Sequence, residues 1–114
     1  GARNEAGGGN ILSAPLPPNA GGTQYRAAWS SLLLPAVAGF RPQLLLVSAG
    51  FDGHRRDPLA ELQLEASDFA WISRELVQLA NRHCGGRIVS MLEGGYDLEG
   101  LAESSVAHVR ELLA

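Results

Sequence analysis

Apolar positions recur along this chain with two different periods, and the alternation between them outlines its elements. Tyr25, Ala28, Trp29, Leu32, Leu33, Ala36 and Val37 fall three and four apart, the spacing of one helical face. Thr23 has the side chain of an N-cap, and Gly39 stands near the expected end. Pro35 lies inside the pattern and predicts a kink or an irregular last turn, because it lacks an N–H and its ring crowds the preceding turn. Phe69, Ile72, Leu76, Leu79 and Ala80 mark a second helix, with Ser67 as its cap and Gly85-Gly86 as its stop. A third runs from about Leu98 to Leu113, with Leu101, Ser105, Val106, Val109, Leu112 and Leu113 expected to face inward.

Between the helices the period disappears. Gln43 to Gly50 and Arg87 to Leu92 carry continuous apolar runs of strand length, which suit strands buried on both faces of a parallel sheet. Asn10 to Leu16 is a shorter run, stopped by Pro15, Pro17 and Pro18, and reads as a weak strand or extended chain before a loop through Gly21-Gly22. Gly1 to Asn10 reads as loop. The order β, α, β, α, β, α implies right-handed crossovers and three βα units. The expected fold class is α/β, a parallel sheet between helical layers. Residues 1–114 are expected to form a single domain with no internal boundary, repeat or linker.

Composition narrows the possibilities. The 114 residues are 46% hydrophobic and 18% charged, a globular balance. Nine Arg and no Lys stand against twelve acidic residues, for a net charge of −3. No basic field exists to hold nucleic acid by its phosphates. The single cysteine, Cys84, excludes an internal disulfide framework and a Cys-rich zinc module. No apolar run approaches the ~18 residues of a membrane span, and the N-terminus shows no signal pattern. The expectation is a cytoplasmic protein of a reducing compartment.

In parallel α/β sheets, ligands bind beyond the carboxyl ends of the strands. Two loops there are chemically loaded: Ser48 to Leu59, and Glu93 to Leu98. Asp52, between Gly50 and Gly53, can bind a metal, act as a base or cap a turn. His54 invites a metal-pair reading beside the simpler one of an exposed loop histidine. Asp57-Pro58 reads as a turn dipeptide. Tyr96, after Gly94-Gly95, can donate to a developing oxyanion or serve as an aromatic lid on the sheet rim. Gly94-Gly95 lacks the further residues of either nucleotide fingerprint. His83 reads as favourable charge at a helix C-terminus, Cys84 as partly buried and inert, His108 as a surface residue, and Trp29 and Trp71 as packing residues.

Taken together, the two loops resemble a known family. Leu44 to Ala60, with its Ser48-Ala49-Gly50-Phe51-Asp52-Gly53-His54 core, resembles one signature of the zinc-dependent histone deacetylases, closest to the class II, bacterial amidohydrolase and acetylpolyamine amidohydrolase branch. Leu92-Glu93-Gly94-Gly95-Tyr96-Asp97-Leu98 resembles a second signature, and Gly9 to Pro17 an upstream extended segment. The resemblance implies the three-layer arginase/deacetylase-like α/β/α fold. It implies Asp52 as a zinc ligand and Tyr96 as the catalytic donor to the scissile carbonyl. It places Leu59, Gly94 and Gly95 at the substrate, Leu59 lining the acyl-lysine tunnel. The cofactor implied is Zn2+ in the complete enzyme, and the substrate an acetyl-lysine protein or peptide, or an acetylated polyamine.

The family's paired histidines and its other two zinc ligands, an Asp-x-His, belong to earlier loops. No His-His pair occurs here, and the only Asp-x-His, Asp52 to His54, is the third-ligand segment itself. The resemblance therefore covers the C-terminal part of the catalytic domain, whose partner is the N-terminal remainder, with no nucleic acid or membrane involved. The fragment alone is expected to be inactive. A non-catalytic α/β structural or binding module is the alternative, and a small nucleotide-binding domain a third reading.

Overall fold

A computed structural model describes residues 1–114. The chain runs as α1 (Gly22–Ala28), a π-helical segment (Trp29–Leu33), α2 (Leu34–Phe40), β1 (Leu45–Ala49), α3 (Ala66–His83), β2 (Ile88–Leu92) and α4 (Leu98–Leu113). The first predicted helix is thus one path broken in the middle. Pro35 sits at the start of α2 and cannot donate to the turn before it, so the backbone there opens to the wider π spacing, with Leu34 N–H returning to Trp29 O. Its start is Gly21 rather than Thr23, with Gln24 Oε1 accepting the Gly21 N–H at 3.0 Å. Its end is Arg41, in the left-handed region at φ 57°, rather than Gly39.

No strand forms over residues 10–16. Pro15 within this run, and Pro17 and Pro18 just after it, cannot donate to a ladder, and Ile11 and Leu12 remain exposed. The sheet accordingly has two strands, β1 and β2, parallel, with Leu45 opposite Ile88 and Ala49 opposite Leu92. Burial on the strands alternates instead of being continuous. Val47 and Ala49 turn toward the core, whereas Leu46, Val89 and Met91 lie exposed on the outer face. The apolar runs are those of strands covered twice, but within this chain the α3–α4 side alone provides a helical cover.

Helix α3 supplies most of that cover. Phe69, Ile72, Leu76, Leu79 and Ala80 are buried along it. It begins two residues before Ser67, at Glu65, whose N–H donates to Asp68 Oδ2 at 2.9 Å. The other Asp68 oxygen takes Arg26 Nε at 2.9 Å, fastening α1 to the same cap, while the Arg26 guanidinium lies over the half-buried Trp71 ring. At its far end Gly86 N–H returns to Ala80 O at 3.0 Å, which positive φ at Gly85 and Gly86 allows. Cys84 is fully buried and donates to Pro42 O.

Helix α4 is rotated from the expected face: Leu101 packs against the core as expected, but the fully buried positions are others. Gly100, Ser104 and His108 are buried, while Val106, Val109 and Leu113 are exposed. The small residues permit a close approach: a Cβ at Gly100 would stand 2.9 Å from His54 Nδ1. About two turns further along, His108 joins three elements. Its Nδ1 lies 2.6 Å from Ser73 Oγ on α3 and its Nε2 2.7 Å from Ser90 Oγ on β2. Ser73 spends its proton on Phe69 O, so Nδ1 carries hydrogen and Nε2 accepts from Ser90. A neutral ring satisfies the whole network.

Burial holds the His108 pKa below its ordinary 6.5. The unfolded chain therefore binds this proton at higher pH than the folded one, and stability rises with pH across that interval. The contribution is complete above pH 6.5 and is lost as pH falls toward the depressed folded value. Urea midpoints measured through this range should fall for the wild type and fall less for His108→Gln.

Candidate functional site

The carboxyl ends of β1 and β2 feed the two loops singled out above, and backbone pairing continues past the strands. Glu93 N–H donates to Ala49 O at 2.9 Å, and Phe51 N–H to Gly94 O at 2.8 Å. This draws Asp52 against the second loop. A Cβ at Gly94 would stand 3.1 Å from Asp52 Cγ, and one at Gly50 would stand 3.2 Å from Asp52 Oδ1. The half-buried Asp52 carboxylate thus lies against glycine backbone from both loops. Gly95 follows at φ 142°, where a Cβ would press to 2.9 Å from Leu101 Cδ1, so the bend that leads to Tyr96 needs glycine. The side chains of Tyr96 and Leu59 are 63% and 64% exposed, available to a ligand at the rim.

Two residues read as simple loop features do more. His54 is 1% exposed rather than a surface histidine. Its Nδ1 accepts the Arg56 N–H at 3.2 Å and its Nε2 lies 3.4 Å from Glu103 Oε2, so both ring nitrogens are already engaged. Asp57 is also buried. It accepts Leu59 N–H at 3.0 Å in its own loop, and Tyr96 N–H at 2.7 Å and Asp97 N–H at 3.2 Å in the other. Burial pushes its carboxyl up, but these three donors outweigh it and hold the pKa below the ordinary carboxylate value. The Asp-Pro pair signals the local half of this arrangement, an Asp accepting from two residues on. The half that reaches Tyr96 depends on the tertiary fold.

Arg56 adds an ion pair at each side of the α4 start, 3.4 Å to Asp97 Oδ1 and 2.7 Å to Glu99 Oε2. Asp97 caps α4 through Gly100 N–H at 2.9 Å. That bond, reinforced by Arg56, keeps the Asp97 pKa low.

Zinc in a hydrolase commonly takes three protein ligands. No group of three or more His, Cys, Asp or Glu side chains converges anywhere in this chain. Asp52 offers one carboxylate, and His54 is committed elsewhere. The residues present do not make a complete zinc site. No helix is long and apolar enough to cross a membrane.

Residues 1–112 match the family model described as the histone deacetylase domain. The chain belongs to the histone deacetylase family. It is 40% identical over 107 residues to histone deacetylase 14, chloroplastic, of Arabidopsis thaliana, covering 94% of this chain and 25% of that protein. To the histone deacetylase-like amidohydrolase of Pseudomonas aeruginosa it is 39% identical over 108 residues, covering 95% of this chain and 28% of the relative. Among solved structures, the histone deacetylase Clr3 superposes with a TM-score of 0.85 at 29% identity, over 92% of this chain and 17% of that one. The HDA15 HD domain gives a TM-score of 0.78 at 32% identity, over 85% and 26% of the two chains. This histone deacetylase-family chain therefore has the arginase/deacetylase-like α/β fold, and it spans about a quarter of the length of these sequence relatives.

Proposed function

We propose that this chain is the C-terminal segment of a zinc-dependent deacetylase that hydrolyses the amide of acetyl-lysine or of an acetylated polyamine. The observation that carries this reading is the packing of the Asp52 carboxylate against Gly94, two residues before Tyr96. It puts a single metal-binding oxygen donor and the start of the tyrosine loop in one place. In the complete domain Asp52 is one zinc ligand, and the remaining ligands and the acid–base histidines come from outside these 114 residues. Zinc held there, with the ligands supplied by the rest of the domain, would polarise a carbonyl and would lower the pKa of a bound water.

The residues of this chain have complementary tasks. Gly94 leaves room for the Asp52 carboxylate, and Gly95 allows the bend that presents Tyr96. The Tyr96 phenol donates a hydrogen bond to the carbonyl oxygen as negative charge grows on it. Leu59 offers an apolar wall to the acyl-bearing chain. The exposed outer face of the sheet, with Leu46, Val89 and Met91, is where the rest of such a domain packs.

The test compares the purified chain with the same chain joined to the preceding part of a deacetylase domain. Alone, it should bind zinc weakly by titration calorimetry and should not turn over a fluorogenic acetyl-lysine substrate. Joined, it should bind zinc stoichiometrically and turn over, with both properties lost in Asp52→Ala. A joined protein that folds, holds zinc and shows no turnover would favour the non-catalytic module.

A further inference from the structure

Leu59 and Tyr96 belong to different loops, yet a single carboxylate holds the backbone of both. We infer that Asp57 is a positioning residue that sets the spacing between Leu59 and Tyr96, and thereby the acyl size the site accepts. The inference rests on the deacetylase reading above, and it assigns a role to a residue outside the metal and catalytic sets.

The geometry divides the two Asp57 oxygens between the loops. Oδ1 takes the Leu59 N–H at 3.0 Å, while Oδ2 takes the Tyr96 and Asp97 N–H groups at 2.7 and 3.2 Å. Asp57 is itself anchored, since its N–H donates to His54 O at 2.9 Å, and His54 N–H donates to Phe51 O at 3.2 Å. A chain of bonds thus runs from the buried Phe51 through His54 and Asp57 to both rim residues. The carboxylate is 4% exposed, so water competes little for its oxygens, and hydrogen bonds to an ionised acceptor are the stronger kind. The Arg56 pairs join the same two loops, but Arg56 and Glu99 are exposed, where such pairs add little. Leu59 and Tyr96 therefore present free side chains on a backbone fixed by one buried group. An amide in place of the carboxylate keeps the shape but has one acceptor oxygen, so it cannot hold both loops at once.

The test uses Asp57→Asn in the deacetylase completed with the rest of its domain, and hydrogen exchange in both that protein and the 114-residue chain. Exchange at the Leu59 or Tyr96 amide should quicken, while amides of α3 at Leu79 and Ala80 stay protected. The kcat/KM for an acetyl-lysine peptide should fall about 10–100-fold, the scale of a small misplacement at a reacting centre. It should fall less for longer acyl groups, so that the preference for acetyl narrows. A uniform loss across acyl lengths with α3 protection also lost would mean a general structural role and overturn the inference. Unchanged kinetics despite quickened exchange would overturn it too, as would unchanged protection of both rim amides. An inactive wild-type completed protein would instead refute the deacetylase reading, and the assigned role would fall with it.

Discussion

Tyr96→Phe should lower kcat of the completed deacetylase by about 10²–10³-fold, the usual cost of removing one preorganised donor from an oxyanion site. KM for an acetyl-lysine peptide should change little, because the phenol's contribution grows only as charge develops on the carbonyl oxygen. The substitution removes a single hydroxyl from a side chain that is 63% exposed, and the loop is held by its backbone through Asp57. Thermal stability and zinc stoichiometry should therefore match the wild type. Steady-state kinetics beside a melting curve separate the two effects. A Tyr96→Phe protein with undiminished kcat would remove the phenol from the chemistry and leave it as an aromatic lid on the rim.

Local patterns carried the reading of the chain as far as local physics reaches. The apolar runs at 43–50 and 87–92 marked both strands, because five-residue strands bounded by Pro, Gly and polar residues have few other ways to bury such runs. Pro35 announced its own disruption, since a missing N–H is a property of the residue and not of its surroundings. The phase of α4 was not legible. Counting large apolar residues selects Val106 and Val109, whereas the buried positions include Gly100 and Ser104, and at Gly100 the missing side chain lets the helix approach His54. The burial of His108 is likewise hidden from the sequence. A histidine looks polar from the sequence alone, and only the meeting of Ser73 and Ser90 around it makes burial affordable.

The site shows the same division. The two glycine-bearing loops could be recognised as a pair, and parallel strands put their ends on one edge. The bond from Asp57 to Tyr96 crosses 39 residues of sequence, and no local pattern encodes its partner. His54 likewise has the spacing of a metal pair with Asp52, but its ring is taken up by Arg56 and Glu103.

Phe51→Ala is expected to cost the most stability of any single change at this edge. Phe51 is 4% exposed and lies in the core cluster with Ala49, Leu64 and Phe69. Its ring meets Phe69 edge-on at 5.1 Å and His108 at 5.7 Å. Truncating it removes those contacts and opens a cavity beneath both loops, a loss of about 3–5 kcal/mol. That is a large part of the roughly 5–15 kcal/mol by which domains are stable, and it should lower the melting temperature by about 12 °C or more. Phe40, 82% exposed on the last turn of α2, is the control: Phe40→Ala should stay within about 0.5 kcal/mol of wild type. Phe51 also donates its N–H to Gly94 O and precedes Asp52 directly, so the cavity should loosen the place where the two loops meet. Hydrogen exchange at Phe51 and Glu93 should quicken beyond what the global loss accounts for. Equal melting temperatures for the two alanine variants would mean that the aromatic cluster does not anchor this edge of the sheet.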